Sequence, residues 1–247
     1  MIKTIGVLSC LFYTLLINAQ EPVTDNVQRN YMLLKFGIAL NSARSEQISG
    51  DTKIKTPVGI GFNYIGFGYH INFHKNVGFK LGLDIGEQSA SFKNVYLKED
   101  NQIKYQRESI HTLGIEFQYH FTTKFKFKKD FFFIAETGVD FRSYINSTLT
   151  SGTIIYSPDD EEFNIEIKYG SSVNLTPSLP FSIGFMKHLT NGRLFQFQLI
   201  TSISFIRVVE GTYNYTVNSN IESSGKLYSN GTYYGIELGY AFAKRKK

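Results

Sequence analysis

The sequence predicts an all-β fold, an eight-stranded antiparallel up-and-down transmembrane β-barrel with short periplasmic turns and long extracellular loops. Three observations predict it: the composition, an alternation of apolar and polar residues in eight stretches, and connections that are alternately short and long. The 247 residues include Gly 21, Tyr 16 and Phe 22 but Trp 0 and Pro 5. This balance favours strands and turns over helices, and the length suits a single all-β domain.

The alternating stretches each have the length of about ten residues that a tilted strand needs to cross a bilayer. In NVGFKLGLDIG (76–86), for example, Phe79, Leu81 and Leu83 fall on one face, whereas Lys80 and Asp84 fall on the other with the glycines. The eight predicted strands have their apolar faces within residues 34–40, 65–73, 77–85, 113–121, 133–145, 179–185, 195–205 and 234–242.

The polar faces of these strands indicate which face of each strand points into the lumen. They are rich in glycine and carry few charges, whereas the surface of a soluble barrel is rich in Lys and Glu. Small residues with a few charges of both signs suit the narrow lumen of an eight-stranded barrel, so the apolar faces should contact lipid. We expect the following residues to compensate one another in the lumen: Lys35, Lys80, Asp84, Glu116, Glu136, Asp140, Arg142 and Glu237.

The predicted connections alternate in length. Short ones are HKN (74–76), TTKFKFKKD (122–130) and LTNGR (189–193), which contains an Asn191-Gly192 turn signal, whereas residues 42–58, 87–110, 146–178 and 208–231 form long ones. This asymmetry is typical of outer-membrane barrels with periplasmic turns and chain ends. Tyrosines near the predicted strand ends are candidates for interfacial girdles: Tyr64, Tyr69, Tyr119, Tyr144, Tyr234 and Tyr240.

The chain start has the pattern of an export signal. Lys3 precedes the apolar run 5–17, and the small residue Ala19 predicts cleavage after position 19. We therefore divide the chain into a signal peptide (1–19), a periplasmic tail (20–31), a barrel (32–242) and a basic tail (243–247). The only cysteine, Cys10, lies in the signal, which leaves no disulfide for the mature chain. The expected location is the outer membrane of a Gram-negative bacterium.

Residues 31–242 resemble the small outer-membrane barrels described as PorT-like, and more loosely the OmpX and OmpW type. The resemblance depends on strand spacing, loop asymmetry and the aromatic terminal strand YYGIELGYAF (233–242). It implies an eight-stranded barrel whose last strand serves as an assembly signal.

In two long connections the alternation of apolar and polar residues continues beyond the predicted barrel strands. NVYLKEDNQIKYQ (94–106) and GTIIYSPDDEEFNIEIKY (152–169) each have β-rich arms around a polar turn. Exposed strand edges can add a partner's strand, so loops 87–110 and 146–178 are candidate sites for adhesion or extracellular protein binding. A simple shielding role for the loops is the alternative.

Few residues indicate a metal site or a catalytic site. His70, His120 and His188 fall on the inward phase, where three imidazoles could reach Zn²⁺, but polar filling of the lumen is the favoured interpretation. We expect no metal site, no cofactor and no enzymatic activity. The formal net charge is +5, but the basic residues are scattered or lie in the terminal KRKK, so no nucleic-acid partner is expected.

Two other functions are kept as alternatives. One is a lipid-modifying outer-membrane enzyme that uses His111 with Glu108 and Ser109, although neighbours along a strand point to opposite faces. The other is a secreted or periplasmic lipocalin-like carrier, which needs an apolar lumen and a polar exterior. A pore for anything larger than small ions is disfavoured because side chains fill the lumen of an eight-stranded barrel.

Overall fold

The computed structural model describes residues 30–41, 44–49, 53–55, 59–60, 62–74, 76–97, 103–145, 147–155, 161–169, 175–189, 193–217 and 220–242. Within these ranges the regular structure consists of strands. No helix in the described part of the chain is long and apolar enough to cross a membrane. The predicted signal peptide, residues 20–29 of the predicted tail and the basic tail 243–247 lie outside the described residues.

The strands in chain order are β1 (Asn30–Asn41), β2 (Arg44–Ser49), β3 (Lys53–Lys55), β4 (Gly59–Ile60), β5 (Phe62–Asn72), β6 (Val77–Leu97), β7 (Ile103–Lys128), β8 (Phe131–Tyr144), β9 (Ser147–Ile155), β10 (Glu161–Tyr169), β11 (Thr176–His188), β12 (Arg193–Ser204), β13 (Val209–Val217), β14 (Asn220–Ser229) and β15 (Tyr233–Phe242).

Eight of these strands close into the predicted barrel. They follow the order β1, β5, β6, β7, β8, β11, β12, β15, and each is antiparallel to its neighbours. The last strand pairs with the first from Met32↔Phe242 to Asn41↔Tyr233, which removes the sheet edges. Each of the eight predicted stretches lies on its own barrel strand, so the predicted fold class is confirmed.

Strict alternation places the apolar side chains outside. In β1 the even-numbered residues Met32 and Phe36 are 56% and 50% exposed, whereas Leu33 and Lys35 are fully buried. Because successive side chains of a strand point to opposite faces, the register of each strand decides which of its residues face the lumen.

Short connections lie at one end of the barrel, which we call the turn end. Here the structure corrects one boundary: residues 122–128, expected in a connection, belong to β7, and only 129–130 join β7 to β8. Asp130 makes this tight turn with a φ of 63°, a conformation that Asp tolerates better than most residues. The Asn191-Gly192 turn signal lies outside the described residues.

The opposite end, which we call the extended end, contains more strand than the sequence predicts. β6 and β7 keep pairing beyond the barrel as far as Leu97↔Ile103, in agreement with a protruding hairpin. The regions expected as loops 42–58, 146–178 and 208–231 supply a second sheet, which we call the outer sheet, in the order β2-β14-β13-β10-β9. Hairpin β9–β10 was expected, whereas β13–β14 and β2 were not.

Two apolar clusters fill the lumen near its ends. At the turn end the buried cluster comprises Tyr31, Leu33, Phe132, Ile134, Met186, Leu194 and Ala241. At the extended end it comprises Ala39, Phe62, Tyr64 and Tyr233, with Ile200 against it. Polar and charged side chains lie between these two clusters.

The structure corrects two of the predicted girdle tyrosines. Tyr64 is 3% exposed and Tyr144 is half-buried, and both hydroxyls bond to lumen side chains. The physical reason is parity: Tyr64 is an even-numbered residue on a strand whose odd-numbered residues face outward. Tyr69, Tyr119 and Tyr234 do lie on the exterior.

Candidate functional site

All eight charged residues expected in the lumen lie there. None is more than 3% exposed, and they come from five different barrel strands: Lys35, Lys80, Asp84, Glu116, Glu136, Asp140, Arg142 and Glu237. The structure brings them together in three groups.

The first group is centred on Lys35 of β1. Its ammonium lies 2.6 Å from Asp84 Oδ1 and 3.6 Å from Glu237 Oε2, and it donates to Gln118 Oε1 at 2.6 Å. The Gln118 amide in turn donates to Asp84 and Glu116, at 2.8 Å each, and so joins two carboxylates. Tyr64 completes the group by donating its hydroxyl to Glu237 at 2.6 Å. Sequence reasoning missed Gln118 and Tyr64, although the strand phase marks both as inward.

Glycine makes room for this group. A Cβ on Gly66 would lie 1.8 Å from Asp84 Oδ1 and 2.7 Å from the carbonyl oxygen of Leu83. Neither contact is sterically acceptable, so a side chain at 66 would displace the Asp84 carboxylate from Lys35. The glycines of the polar face thus decide where the charged side chains fit.

Arg142 forms the second group, nearer the extended end. Its Nε donates to Glu116 Oε2 at 2.5 Å, and its terminal nitrogens donate to Ser202 Oγ at 2.9 Å and to the Gly231 carbonyl at 3.0 Å. The guanidinium also lies 4.7 Å from the ring centroid of Tyr233. Arg142 therefore ties the barrel wall to the segment that connects β14 to β15.

The third group lies toward the turn end and joins three strands. Lys80 forms an ion pair with Glu136. His120 Nε2 lies 2.6 Å from Asp140 Oδ1, and its Nδ1 lies 3.6 Å from Glu136. The Asp140 carboxylate therefore orients the His120 ring, and Glu136 lies on the other side of the ring.

One buried cation was missed by the sequence analysis. Lys124 is 2% exposed, donates to Asn72 Oδ1 at 2.6 Å, and lies 4.8 Å from the ring centroid of Tyr31. It was missed because residues 122–130 were expected to form a connection, yet its even number already matched the inward phase of β7.

The three lumen histidines do not meet. His120 bonds to Asp140, the His70 ring stacks on Tyr31 at a centroid distance of 4.4 Å, and His188 packs edge-on against Phe132 at 5.2 Å. Over the described residues no group of three His, Cys, Asp or Glu side chains could hold a metal ion. Each imidazole has its own surroundings instead of a shared centre.

The exterior of the barrel is a continuous apolar belt. Ile65, Phe67, Ile183 and Leu199, from three of its strands, are each more than 50% exposed. An exposed belt around a charged lumen is the reverse of what a lipocalin-like carrier needs. Hydrocarbon is the medium in which this surface is stable, so the chain forms an integral membrane β-barrel.

Hydrogen bonds connect the outer sheet to the barrel at the base of β13 and β14. The Val208 amide donates to the Ser229 carbonyl at 2.8 Å, and Ser229 Oγ donates to Asn41 Oδ1 at 3.3 Å. Tyr213 is buried on one face of this sheet, over Gly225, where a Cβ would lie 2.3 Å from the ring. These contacts make the outer sheet an ordered extension of the barrel wall.

Of the three residues considered for lipid chemistry, His111 is the one whose side chain the structure describes. His111 Nδ1 lies 2.5 Å from Glu87 Oε1 on the neighbouring strand, and both side chains are exposed. The side chains of Glu108 and Ser109 lie outside the described part of the structure.

Comparisons with protein-family models and with curated proteins find no match to this chain. Among solved structures, the outer membrane protein OprG from Pseudomonas aeruginosa is similar at a TM-score of 0.45 and 9% identity, over 90% of this chain and 100% of that chain. The β domain of the Bordetella autotransporter BrkA has a TM-score of 0.28 and 10% identity, over 89% and 100% of the two chains.

The Pseudomonas putida toluene transporter TodX has a TM-score of 0.24 and 6% identity, over 88% of this chain and 91% of that chain. The description of this molecule rests on its own strand pairing and burial. It is a closed eight-stranded antiparallel barrel with an apolar exterior and a charged lumen.

Proposed function

We propose that this protein is an anchored binding platform of a Gram-negative outer membrane: a sealed barrel that presents the outer sheet at the cell surface for proteins to bind. The observation that carries the proposal is the five-stranded outer sheet itself, built from connections at one end of the barrel. In this proposal the extended end faces the outside of the cell, and an export signal is removed from the chain start.

The barrel suits the role of an anchor. Its exterior matches hydrocarbon, its eight strands pair around a closed sheet, and buried ion pairs and two apolar clusters occupy its lumen. A lumen filled in this way holds the wall rigid and leaves no passage for a substrate. The proposal assigns no catalytic step, no cofactor and no nucleic-acid partner.

The outer sheet suits the role of a platform because its two edge strands are available for pairing. Among the described strands, β9 pairs only with β10, and β2 pairs only with β14. The sequence of β9, STLTSGTII, lacks both charge and proline, the two common devices that block an edge against pairing. A partner could therefore add a strand alongside β9 by main-chain hydrogen bonds.

Membrane integration is tested on the purified chain. We expect extraction from membranes by detergent only, and a folded band that migrates differently from the boiled one in electrophoresis. A chain that stays dispersed and folded in plain buffer would overturn the anchor part of the proposal.

Surface binding is tested on intact cells that display the protein. Attachment to immobilised fibronectin, laminin and collagen is measured for the wild type, for a variant whose residues 147–169 are replaced by a short Gly-Ser linker, and for Thr150→Lys at the β9 edge. We expect both variants to lose attachment while keeping the heat-shifted band of a folded barrel. Attachment that survives both changes, or that is absent from the wild type on all three proteins, would overturn the platform.

Membership of the PorT-like group belongs to this proposal as well. Its support is the aromatic terminal strand, which the structure pairs on both sides, with β12 and with β1. Because β15 closes the barrel, its deletion should abolish membrane assembly altogether.

A further inference from the structure

A cleft opens beside the base of the outer sheet, outside the lumen. It has a volume of about 350 Å³ and is lined by Arg207, Glu210, Gly211, Thr212, Lys226, Leu227 and Tyr228. Two of these side chains, Arg207 and Lys226, are cationic and Glu210 is anionic, and Glu46 of β2 lies opposite Lys226 at the border of the cleft.

Arg207 is held in place within this cleft. Its guanidinium lies 4.5 Å from the ring centroid of Tyr228 and 3.8 Å from Glu210 Oε1, yet its side chain remains 53% exposed. Stacking on one plane of a guanidinium leaves its edge, with the N–H donors, open to another ligand. Arg207 is thus oriented without being saturated.

Lys226 supplies the second cation on the same side of the sheet. It lies two residues before Tyr228 on β14, so both side chains project from one face at a spacing of about 7 Å. Its cross-strand partners are Thr212 on β13 and the exposed Glu46 on β2, and no ion pair of Lys226 occurs among the described residues. An exposed ammonium and a stacked guanidinium therefore flank one cleft.

The cleft also lies at the border of the apolar belt. Phe205, two residues before Arg207, is 65% exposed, and Tyr234 on the neighbouring strand is 57% exposed. Arg207, Glu210 and Lys226, at the base of the outer sheet, are exposed and charged. Lipid headgroups occupy the layer next to the hydrocarbon, and basic side chains there attract anionic lipids.

We propose that Arg207 and Lys226 clamp the phosphate of a neighbouring phosphorylated sugar lipid. A guanidinium fork and an ammonium are the groups that proteins use for phosphate, and the cleft is large enough for a sugar phosphate. The inference deepens the proposed function, since it rests on the membrane placement of the barrel, but it does not depend on the outer sheet binding a protein.

The test uses the purified full-length protein in detergent micelles, with an equimolar mixture of bisphosphorylated lipid A and its dephosphorylated form. Native mass spectrometry measures which lipid the folded barrel retains. We expect a preference on the order of tenfold for the phosphorylated lipid, because each basic residue contributes a charge interaction at the headgroup layer. Equal retention of the two lipids overturns the proposal, while the heat-shifted band shows independently whether the barrel has folded.

Matched variants locate the site. Arg207→Gln with Lys226→Gln should remove the preference, whereas Lys187→Gln with Arg193→Gln, which removes the same charge from the exposed surface at the turn end, should retain it. Glu210→Gln should strengthen the preference because it removes a competing carboxylate. Equal losses in the two double variants overturn the assignment. Glucosamine-1-phosphate that displaces the lipid at equal concentration would show that free sugar phosphate, not a lipid, is the ligand.

Discussion

At the scale of single residues, the lumen shows how strand parity and residue size together decide where charges lie. Parity places Lys35, Asp84 and Glu237 inside, but the contacts between them depend on which neighbours are glycine. Gly66 is the clearest case, because any side chain there occupies the place of the Asp84 carboxylate.

Gly66→Ala should therefore destabilise the barrel by about 1–3 kcal/mol, the usual cost of inserting a methyl group into a packed interior. Gly68→Ala is the matched control on the same strand face. Its Cβ would lie 3.3 Å from the flexible Lys80 chain and should be tolerated. Urea unfolding of the folded protein in lipid vesicles measures both. Equal stability of the two variants would contradict the role given to Gly66.

Arg142 provides a second prediction at this scale. Arg142→Met should cost about 3–5 kcal/mol, because it leaves the fully buried Glu116 carboxylate without its cation. Adding Glu116→Gln to that variant should restore part of the loss, since a neutral amide is cheaper to bury than an unpaired charge. The same unfolding experiment measures the difference, and a double variant no better than the single one would argue against the pair.

At the scale of the strand, the outward face interacts with lipid and the inward face with the lumen. β1 shows both, with five large apolar residues from Met32 to Leu40 on the outside and Lys35 inside. The energetic consequence of a charge on the outer face depends on its depth in the bilayer.

Phe36→Arg, near the middle of β1, should destabilise the barrel by about 2–4 kcal/mol, whereas Asn30→Arg at the turn end of the same face should cost about 0–1 kcal/mol. Comparison of the unfolding free energies in lipid vesicles tests this difference. If the two substitutions cost the same, the face does not span hydrocarbon.

At the scale of the whole molecule, the filled lumen determines whether ions can pass through the barrel. Seven buried residues close its turn end, and ion pairs and aromatic rings occupy the rest. We expect the reconstituted wild type to show no steady current above that of an empty planar bilayer. Leu194→Ser with Met186→Ser, which makes the apolar cluster polar, should increase leakage. A stable open channel in the wild type would contradict a sealed lumen.

The sequence alone was sufficient for the parts of the fold that follow from local periodicity. The eight barrel strands and the two faces of each were predicted because period-two alternation in NVGFKLGLDIG and its counterparts is a property of the chain. The same parity, applied consistently, would also have placed Tyr64 and Lys124 inside.

The tertiary structure decided what depends on pairing between distant segments. Gln118 joins Asp84 to Glu116, and β2 joins β14 across more than half of the chain, because strand register and closure bring them together. Such contacts depend on the stagger of strands around the barrel, which no local pattern encodes. The cleft of Arg207, Lys226 and Tyr228 likewise exists only because β13 and β14 fold back beside the edge of the belt.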